Sequence, residues 1–536
     1  MTQNKRPYIY FPIIVALAMI GGIFMGRSGL YVGKFISPPS GHQNKLETVI
    51  QYIEKEYVDT VLRDELVDIA IQNVLQDLDP HSYYITAKEL AALNEPLEGN
   101  FEGIGIEFSI QNDTVVVVSP VSGGPSEMLG ILSGDRIVKV DNKLVAGTGI
   151  TNKDVMNLLR GKGGTEVKVS IFRRGESKLL DFTIERDKIP IYSIDVAYML
   201  TAETGYIKIS RFSKKTYDEF IESAEKLAGK GMKKLVIDLR NNGGGYLDAA
   251  TDLADEFLEK GKLIVYTEGK ARAKKMHTAT SKGDFETTEL VVLIDEGSAS
   301  ASEIIAGAIQ DNDRGTIVGR RSFGKGLVQE QSEWPDGSAI RLTIARYYTP
   351  TGRCIQKPYN NGSRQYYLEY YKRLERGELQ SIDSIDFPDS LKYKTPGGKT
   401  VYGGGGIMPD VFVPIDTSGR SAYLSHLGYE GVFRNFSFDY ADQNRQKLER
   451  YHSSENFNQS FSVDDDLYEK FIAFAEENGV KRNNYGISTS ESRIKTRLKA
   501  NIARYIWNNN GYFPVIHQQD NMIKRSLELL EIKKGA

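Results

Sequence analysis

Between Tyr192 and Val413 the chain alternates strand-like and helix-like segments, and this alternation restricts the fold more than any other feature of the sequence. GYIKISRF and KKLVIDLR read as strands, with the helix-like KTYDEFIESAEKLAGKG between them. After a run of glycines comes the helix-like YLDAATDLADEFLEKG, then the apolar strands KLIVYT and LVVLIDE and the helical SEIIAGAIQD. Alternation of this kind predicts an α/β sandwich built on a mainly parallel sheet. Lys357 to Thr400 departs from the pattern: it is rich in tyrosine and charge and reads as an insertion or a lid.

A chain of 536 residues exceeds one hydrophobic core, so about two to four domains are expected. Asn44 to about Glu95 is helical in pattern, with Val49, Ile50, Ile53 and Val58 at roughly helical spacing. LDPHSYYITAKEL breaks that pattern at Pro80, and a helix restarts after Thr86, an N-cap candidate with Glu89 three residues on. The segment reads as a helical pair packing on a neighbouring domain. From Phe101 to about Ile189 the signal changes to short strands (IGIEFSI, TVVVVSPV, DRIVKVDN, EVKVSIFRR) interrupted by one helix, NKDVMNLLRGK, which describes a small, partly open β-barrel. Gly103-Ile104-Gly105-Ile106 at the start of a strand resembles the carboxylate-binding loop of PDZ domains, and SGDRIVKVDNKLV resembles their turn-strand-turn. Glycines let consecutive backbone N–H groups converge on a carboxylate, while an extended peptide adds to the sheet edge. Beyond Asp416 the chain is polar and helical, with Ile494, Leu498, Ile502, Tyr505 and Ile506 forming an amphipathic stripe. It reads as a helical appendage that packs on the core or mediates assembly.

The N-terminus sets the expected compartment. Lys5 and Arg6 precede a run without charge from Tyr8 to Met25, long enough to cross a hydrocarbon layer of ~30 Å as a helix. Basic residues before the run favour a cytoplasmic N-terminus with everything downstream outside. Gly26-Arg27-Ser28 is a poor cleavage site, so an uncleaved anchor is preferred over a removed signal. A net charge of -3 gives no reason to expect nucleic acid. The single cysteine, Cys354, excludes an internal disulfide framework and a cysteine-rich zinc site.

Three segments carry chemistry. LVVLIDEGSASASEIIAGAIQD is an apolar strand, a turn of small residues and a helix, a geometry that lifts a nucleophile above a sheet with a helix N-terminus behind it. Ser298, Ser300 and Ser302 compete for that role, Ser302 looking more like an N-cap or first-turn residue. None of the six histidines, His42, His81, His277, His426, His452 and His517, falls in a motif near this turn. The alternative base is a lysine made neutral by burial, and Lys325 in RSFGKGLVQ lies beside Phe323, Leu327 and Val328. In DLRNNGGGYLDAA a strand ends at Leu239 and a helix begins near Tyr246, leaving a glycine turn whose bare N–H groups suit an oxyanion. No GxxxxGK[ST] or GxGxxG occurs here, so a nucleotide cradle is a weak reading.

GIGIEF, DLRNNGGG, GSASASEIIAGAIQD, RSFGKGLVQ, YYTPTGRCIQ and GGGGIMPDVFVP, in this order, resemble the carboxyl-terminal processing (tail-specific) serine peptidases from roughly Asn44 to Val413. The resemblance implies a multi-domain α/β protein with a peptidase core of the ClpP/crotonase-like type. It assigns Ser300 as nucleophile, Lys325 as general base and Gln329 as the lysine's partner. It draws the oxyanion hole from Ala301 and one of Gly244 or Gly245. Gly243 stands where relatives often have proline, which leaves that glycine register open. Gly103, Ile104, Gly105 and Ile106 would bind a substrate C-terminus, so peptides with free C-termini are the expected partners, and neither cofactor nor metal is expected. The expected organisation is an anchor in residues 1–34, a helical region in 44–96, a PDZ-like domain in 97–188, a peptidase core in 189–415 and a helical extension in 416–536. The expected site is an inner-membrane anchor with catalytic domains in the periplasm or outside the cytoplasm, a secreted form following if the segment is cleaved. Self-assembly through the C-terminal helices is a further expectation. Two alternatives stand beside this reading: a PDZ-bearing scaffold with a dead core, and a hydrolase with another serine and a histidine recruited through space.

Overall fold

A computed structural model describes residues 45–532 together with residues 15, 16 and 19. The expected anchor falls in residues 1–34 and lies outside the described residues, apart from three helical positions. Among the described residues no helix is long and apolar enough to cross a membrane. The chain divides into two compact units, residues 1–74 and 75–536. In the first, the helices Lys45–Glu56 and Arg63–Gln76 are linked by Arg63, which reaches Glu47 and Glu54.

In the second unit the central sheet runs in the order Ile194–Met199, Thr204–Ile209, Lys234–Asp238, Glu289–Ile294, Thr316–Gly319, Val411–Phe412. Only the first pair is antiparallel, which meets the expectation of a mainly parallel sheet. Both faces are covered, so its strands are continuous apolar runs rather than alternating ones. Leu235, Ile237, Leu290, Val292 and Ile294 face one buried cluster with the helices Leu247–Asp255 and Ala301–Asp311. Val236, Val291 and Leu293 face another with Met522, Ile523 and Leu530 of the terminal helix Asn521–Ile532.

A second, antiparallel sheet has the order Tyr83–Ile85, Ala339–Tyr348, Leu263–Glu268, Lys275–Thr278, with Leu327–Glu333 also paired to Ala339–Tyr348. Two sequence expectations change here. KLIVYT belongs to this sheet and not to the parallel one. HSYYI does separate the helices Arg63–Gln76 and Ala87–Glu98, as expected, but it is also a strand: Tyr83, Tyr84 and Ile85 pair with Arg341, Ile340 and Ala339 at the sheet edge. The helix Ala87–Glu98 does start after Thr86, but the threonine hydroxyl bonds the Glu89 carboxylate and caps no backbone group.

The PDZ-like segment is a sheet in the order Ile106–Gln111, Thr114–Pro120, Arg136–Val140, Glu166–Phe172, Leu180–Glu185, with the helix Asn152–Leu159 closed at its start by a Thr151/Asp154 capping box. The strands Asn100–Gly103 and Asp187–Pro190 pair at its neck. The C-terminal helices Ala422–Tyr429, Val432–Glu449, Ser454–Ser460, Asp465–Glu477 and Asn484–Ile516 bury their own apolar cluster. Ile494, Leu498, Ile502 and Tyr505 form its inner stripe, as the periodicity predicts. This region is part of the fold, because its terminal helix supplies one of the two layers on the central sheet.

Candidate active site

The site grows from the end of the strand Glu289–Ile294. After the turn Asp295–Ala299, Ser300 adopts φ 54° and ψ −113°, a conformation L-residues rarely hold unless their surroundings over-determine it. The surroundings do so. Its N–H donates to Glu303 Oε2 (2.8 Å), and its carbonyl accepts from the N–H groups of Glu303 (2.8 Å) and Ile304 (3.0 Å). The helix that follows, Ala301–Asp311, is buried at all 11 positions, wedged in the apolar core. It begins at Ala301, so the N-cap position falls on Ser300 and not on Ser302. The three competing serines separate by hydrogen bonding. Ser298 Oγ donates to the Leu239 carbonyl (2.8 Å) and Ser302 Oγ to the Asn242 carbonyl (2.9 Å), both fully buried, whereas Ser300 opens onto a cavity of 480 Å³.

Lys325 opens onto the same cavity. Its Nζ donates to Gln329 Oε1 (2.9 Å), and the Gln329 amide donates in turn to the main-chain carbonyl of His81. Burial holds the lysine below its ordinary range and the neighbouring Arg341 guanidinium lowers it further; Glu303 and Asp79 oppose them. Asp79 accepts from the N–H groups of His81 (2.8 Å) and Ser82 (2.9 Å), fixing the turn that presents the His81 carbonyl.

Two residues join the serine elbow to the lysine loop. Glu303 is fully buried and its two oxygens accept from four donors: Oε2 from the N–H groups of Ser300 (2.8 Å) and Lys325 (2.9 Å), Oε1 from Ser322 Oγ (2.5 Å) and the Gly324 N–H (2.7 Å). Tyr347 is buried beside it, with its hydroxyl 2.5 Å from the Lys325 carbonyl and 3.1 Å from that of Ser300. Sequence reasoning missed both roles, and missed Asp79 and His81. The only available signals were the acid three residues after Ser300 and the cluster LDPHS.

The glycine turn closes the third side. Gly244 has φ 99°, and a Cβ there would lie 2.7 Å from Ser300 Cβ and 3.0 Å from the Ala301 nitrogen. Its N–H is taken by Asn242 Oδ1 (2.8 Å). The N–H groups of Gly245 and Ala301 have no acceptor among the described residues. A Cβ at Gly243 would meet nothing within 4 Å. No histidine lines the cavity. The nearest in this layer, His81, bonds Tyr366 Oη through Nε2 (2.9 Å) and is pushed down to about 4, first by burial and then by Lys325.

In the PDZ-like domain, Gly105 has φ 73°, and the Ile104 carbonyl accepts from both the N–H (3.2 Å) and the hydroxyl (2.5 Å) of Ser126. The Ile104 and Gly105 N–H groups have no acceptor among the described residues. The strand Ile106–Gln111 lies at the sheet edge, whereas Gly103 is paired into the neck opposite Asp187.

Residues 203–361 match the profile of peptidase family S41, residues 103–184 that of the PDZ domain and residues 423–508 that of a family of unknown function. A carboxy-terminal-processing protease of Bartonella bacilliformis is 36% identical over 348 residues, covering 63% of this chain and 79% of that one. The chain belongs to peptidase family S41. It is a carboxy-terminal-processing serine protease with a PDZ domain. The carboxy-terminal processing protease CtpA of Bacillus subtilis is 34% identical over 358 residues, 66% of this chain and 76% of the relative. Among solved structures, the photosystem II D1 C-terminal processing protease is 29% identical, covers 69% of this chain and 86% of its own, and superposes with a TM-score of 0.36. The alternative of a scaffold with a dead core is set aside for this protease.

Proposed function

We propose that the protease cleaves peptide bonds with Ser300 as nucleophile and Lys325 as general base. Neutral Lys325 takes the Ser300 proton as Oγ attacks the scissile carbonyl, and the Ala301 and Gly245 N–H groups receive the developing oxyanion. Protonated Lys325 then donates to the leaving amine, water attacks the acyl-enzyme, and Gln329 holds the amine in line throughout. Gly244 acts by its absence of a side chain, its own N–H being committed to Asn242. The observation that carries the reading is the common cavity: Ser300, at the elbow, and Lys325, lowered first by burial, both open onto it. A fluorophosphonate probe is expected to label the wild type and not Ser300→Ala. Lys325→Ala is expected to lose about 10³-fold or more in kcat. Near-normal turnover by Lys325→Ala would end this assignment.

Substrate C-termini would be received by the PDZ domain. Ile104, Gly105 and Ile106 would meet the terminal carboxylate with backbone N–H groups while the peptide lines up along Ile106–Gln111, with Gly103 holding the neck. The domain organisation follows the same lines: a helical region in 44–96, the PDZ domain in 97–188, the peptidase core in 189–415 and an extension in 416–536. The residue 8–25 run would tether the enzyme with its catalytic part outside the cytoplasm. Alkaline extraction of membranes from cells expressing the full chain and a chain lacking residues 1–34 tests the tether: release of both would refute it. Self-association through the C-terminal helices is read by sedimentation of the full chain.

A further inference from the structure

The C-terminal extension reaches the strand end that feeds the glycine turn. Lys234–Asp238 passes through Leu239 into Arg240, and the chain then reverses at Asn241, a non-glycine residue at φ 58°. From there it enters Asn242–Gly245, the segment packed on Ser300. Most of this turn is fixed from within the peptidase core. The Asn241 N–H donates to Asp295 Oδ1 (2.9 Å), the Asn242 amide to the Ile209 carbonyl (2.9 Å), and the Asn242 carbonyl accepts from the Ala299 N–H (2.9 Å) and Ser302 Oγ (2.9 Å).

Arg240 is the exception. Its Nε and Nη2 fork onto Asp238 (2.9 and 2.6 Å), whose second neighbour is the Tyr206 hydroxyl (2.6 Å). The remaining nitrogen, Nη1, has one oxygen acceptor: Asp520 Oδ2, at 2.7 Å and 280 residues further along the chain. Asp520 is itself fixed. Its Oδ1 caps the terminal helix by accepting from the Met522 (2.9 Å) and Ile523 (3.3 Å) N–H groups, and both side chains are buried on the back of the central sheet. The preceding turn is held by His517 Nδ1 against the Tyr198 hydroxyl (2.6 Å). Asp520 lies beyond all three matched segments, 103–184, 203–361 and 423–508.

We propose that Asp520 is a positioning residue for the peptidase reaction, holding Arg240 and, through it, the turn that presents the Gly245 N–H to the oxyanion. The inference rests on the Ser300 reading above. A 660 Å³ cavity beside Arg240, Asn241 and Asp520 makes the effect separable from folding, since water can solvate a freed guanidinium there without a buried charge being stranded. Without Asp520 the Arg240 main chain keeps its bonds to Asp238 (2.9 Å) and Lys208 (3.0 Å) and the turn keeps its core bonds, but the guanidinium is held from one side only, and small displacements of catalytic groups are costly in rate.

Asp520→Asn in the full chain keeps the helix-capping acceptor but no longer offers an anion to Arg240; Asp520→Ser keeps a cap and removes the contact. Both variants are expected to lose about tenfold in kcat, a fraction of the 10²–10³ of a deleted oxyanion donor, with KM within about twofold. A peptide boronate, whose tetrahedral adduct places an oxygen where the oxyanion forms, should bind more weakly by the same factor as kcat falls. A purely structural role would not produce that proportionality. Retained kcat and boronate affinity in either folded variant overturns the proposal, and so does failure of both to fold. Ser300→Ala assayed alongside separates the two claims: if it still turns over, the Ser300 reading fails, whatever the Asp520 variants do.

Discussion

Replacing Glu303 by Gln tests the coupling between nucleophile and base most directly. The side chain keeps its shape, but one oxygen becomes an NH₂ that cannot accept. If the amide nitrogen takes the Oε2 position, it faces the N–H groups of both Ser300 and Lys325. If it takes the Oε1 position, it faces the Gly324 N–H, and Ser322, whose Oγ already accepts from the Ile407 N–H (2.6 Å), must turn its proton elsewhere. Either way at least one fully buried donor is left unmatched, at about 1–3 kcal/mol each, and the surviving bonds lose the assistance of the charge. The expected destabilisation is about 2–4 kcal/mol, read by urea unfolding. The lower-cost orientation releases the glycine–lysine loop, so kcat should fall about 100-fold. The residual activity carries a second signature. The Glu303 anion raises the Lys325 pKa, so removing it makes the free amine available at lower pH and shifts the acid limb of kcat/KM downward. A variant within roughly 0.5 kcal/mol of wild type, the scatter of surface substitutions, and within about threefold in kcat would refute the coupling.

Arg341→Met should act in the opposite direction: loss of a cation that lowers Lys325 lets its pKa rise, moving the same limb to higher pH, and an unmoved or lowered limb would contradict the electrostatic reading. Gly244→Ala should fold but lose at least about 100-fold in kcat, because its Cβ would stand 2.7 Å from Ser300 Cβ in a left-handed backbone. Gly243→Ala, with nothing within 4 Å of the new Cβ, should stay within about threefold, and equal loss in both variants would show that the turn is misread. His81→Asn should keep kcat within about tenfold, since the group that holds Gln329 is the main-chain carbonyl; complete loss, with the fold intact by circular dichroism, would favour a recruited histidine.

What the sequence makes legible follows the range of the interactions involved. The elbow at Ser300, the glycine turn and the lysine loop are each encoded within about a dozen neighbouring residues by composition and periodicity, and the amphipathic stripe from Ile494 to Tyr505 is local in the same sense. KLIVYT was legible as a strand but not as a member of the second sheet, because a short apolar run fits either side of a sandwich. Its burial, open at the Tyr266–Glu268 end, differs from the wholly buried Lys234–Asp238 only once a neighbour is present. HSYYI is legible as a helix break but not as a strand, because its partner strand lies some 250 residues away, just as Gln329 lies 248 residues from the carbonyl that holds it.

The same distinction explains why the site is assembled from distant parts. An acyl-transfer site needs a strained serine, a lysine kept neutral and free N–H groups within a few ångströms, and each of these is unfavourable when isolated. Strain at Ser300 persists because Glu303 and Tyr347 hold it from two directions. Lys325 tolerates burial because Gln329 accepts from its amine, and the His81 carbonyl holds Gln329 in turn. The turn at Asn241 keeps its left-handed reversal because core groups hold one side and Arg240, braced by the terminal helix, holds the other. Glu303, Gln329 and Arg240 sit in the same motifs as the groups they hold, but Tyr347, the His81 carbonyl and Asp520 come from far along the chain, so local sequence can nominate the reacting groups, while the angle at which they meet is a property of the closed fold.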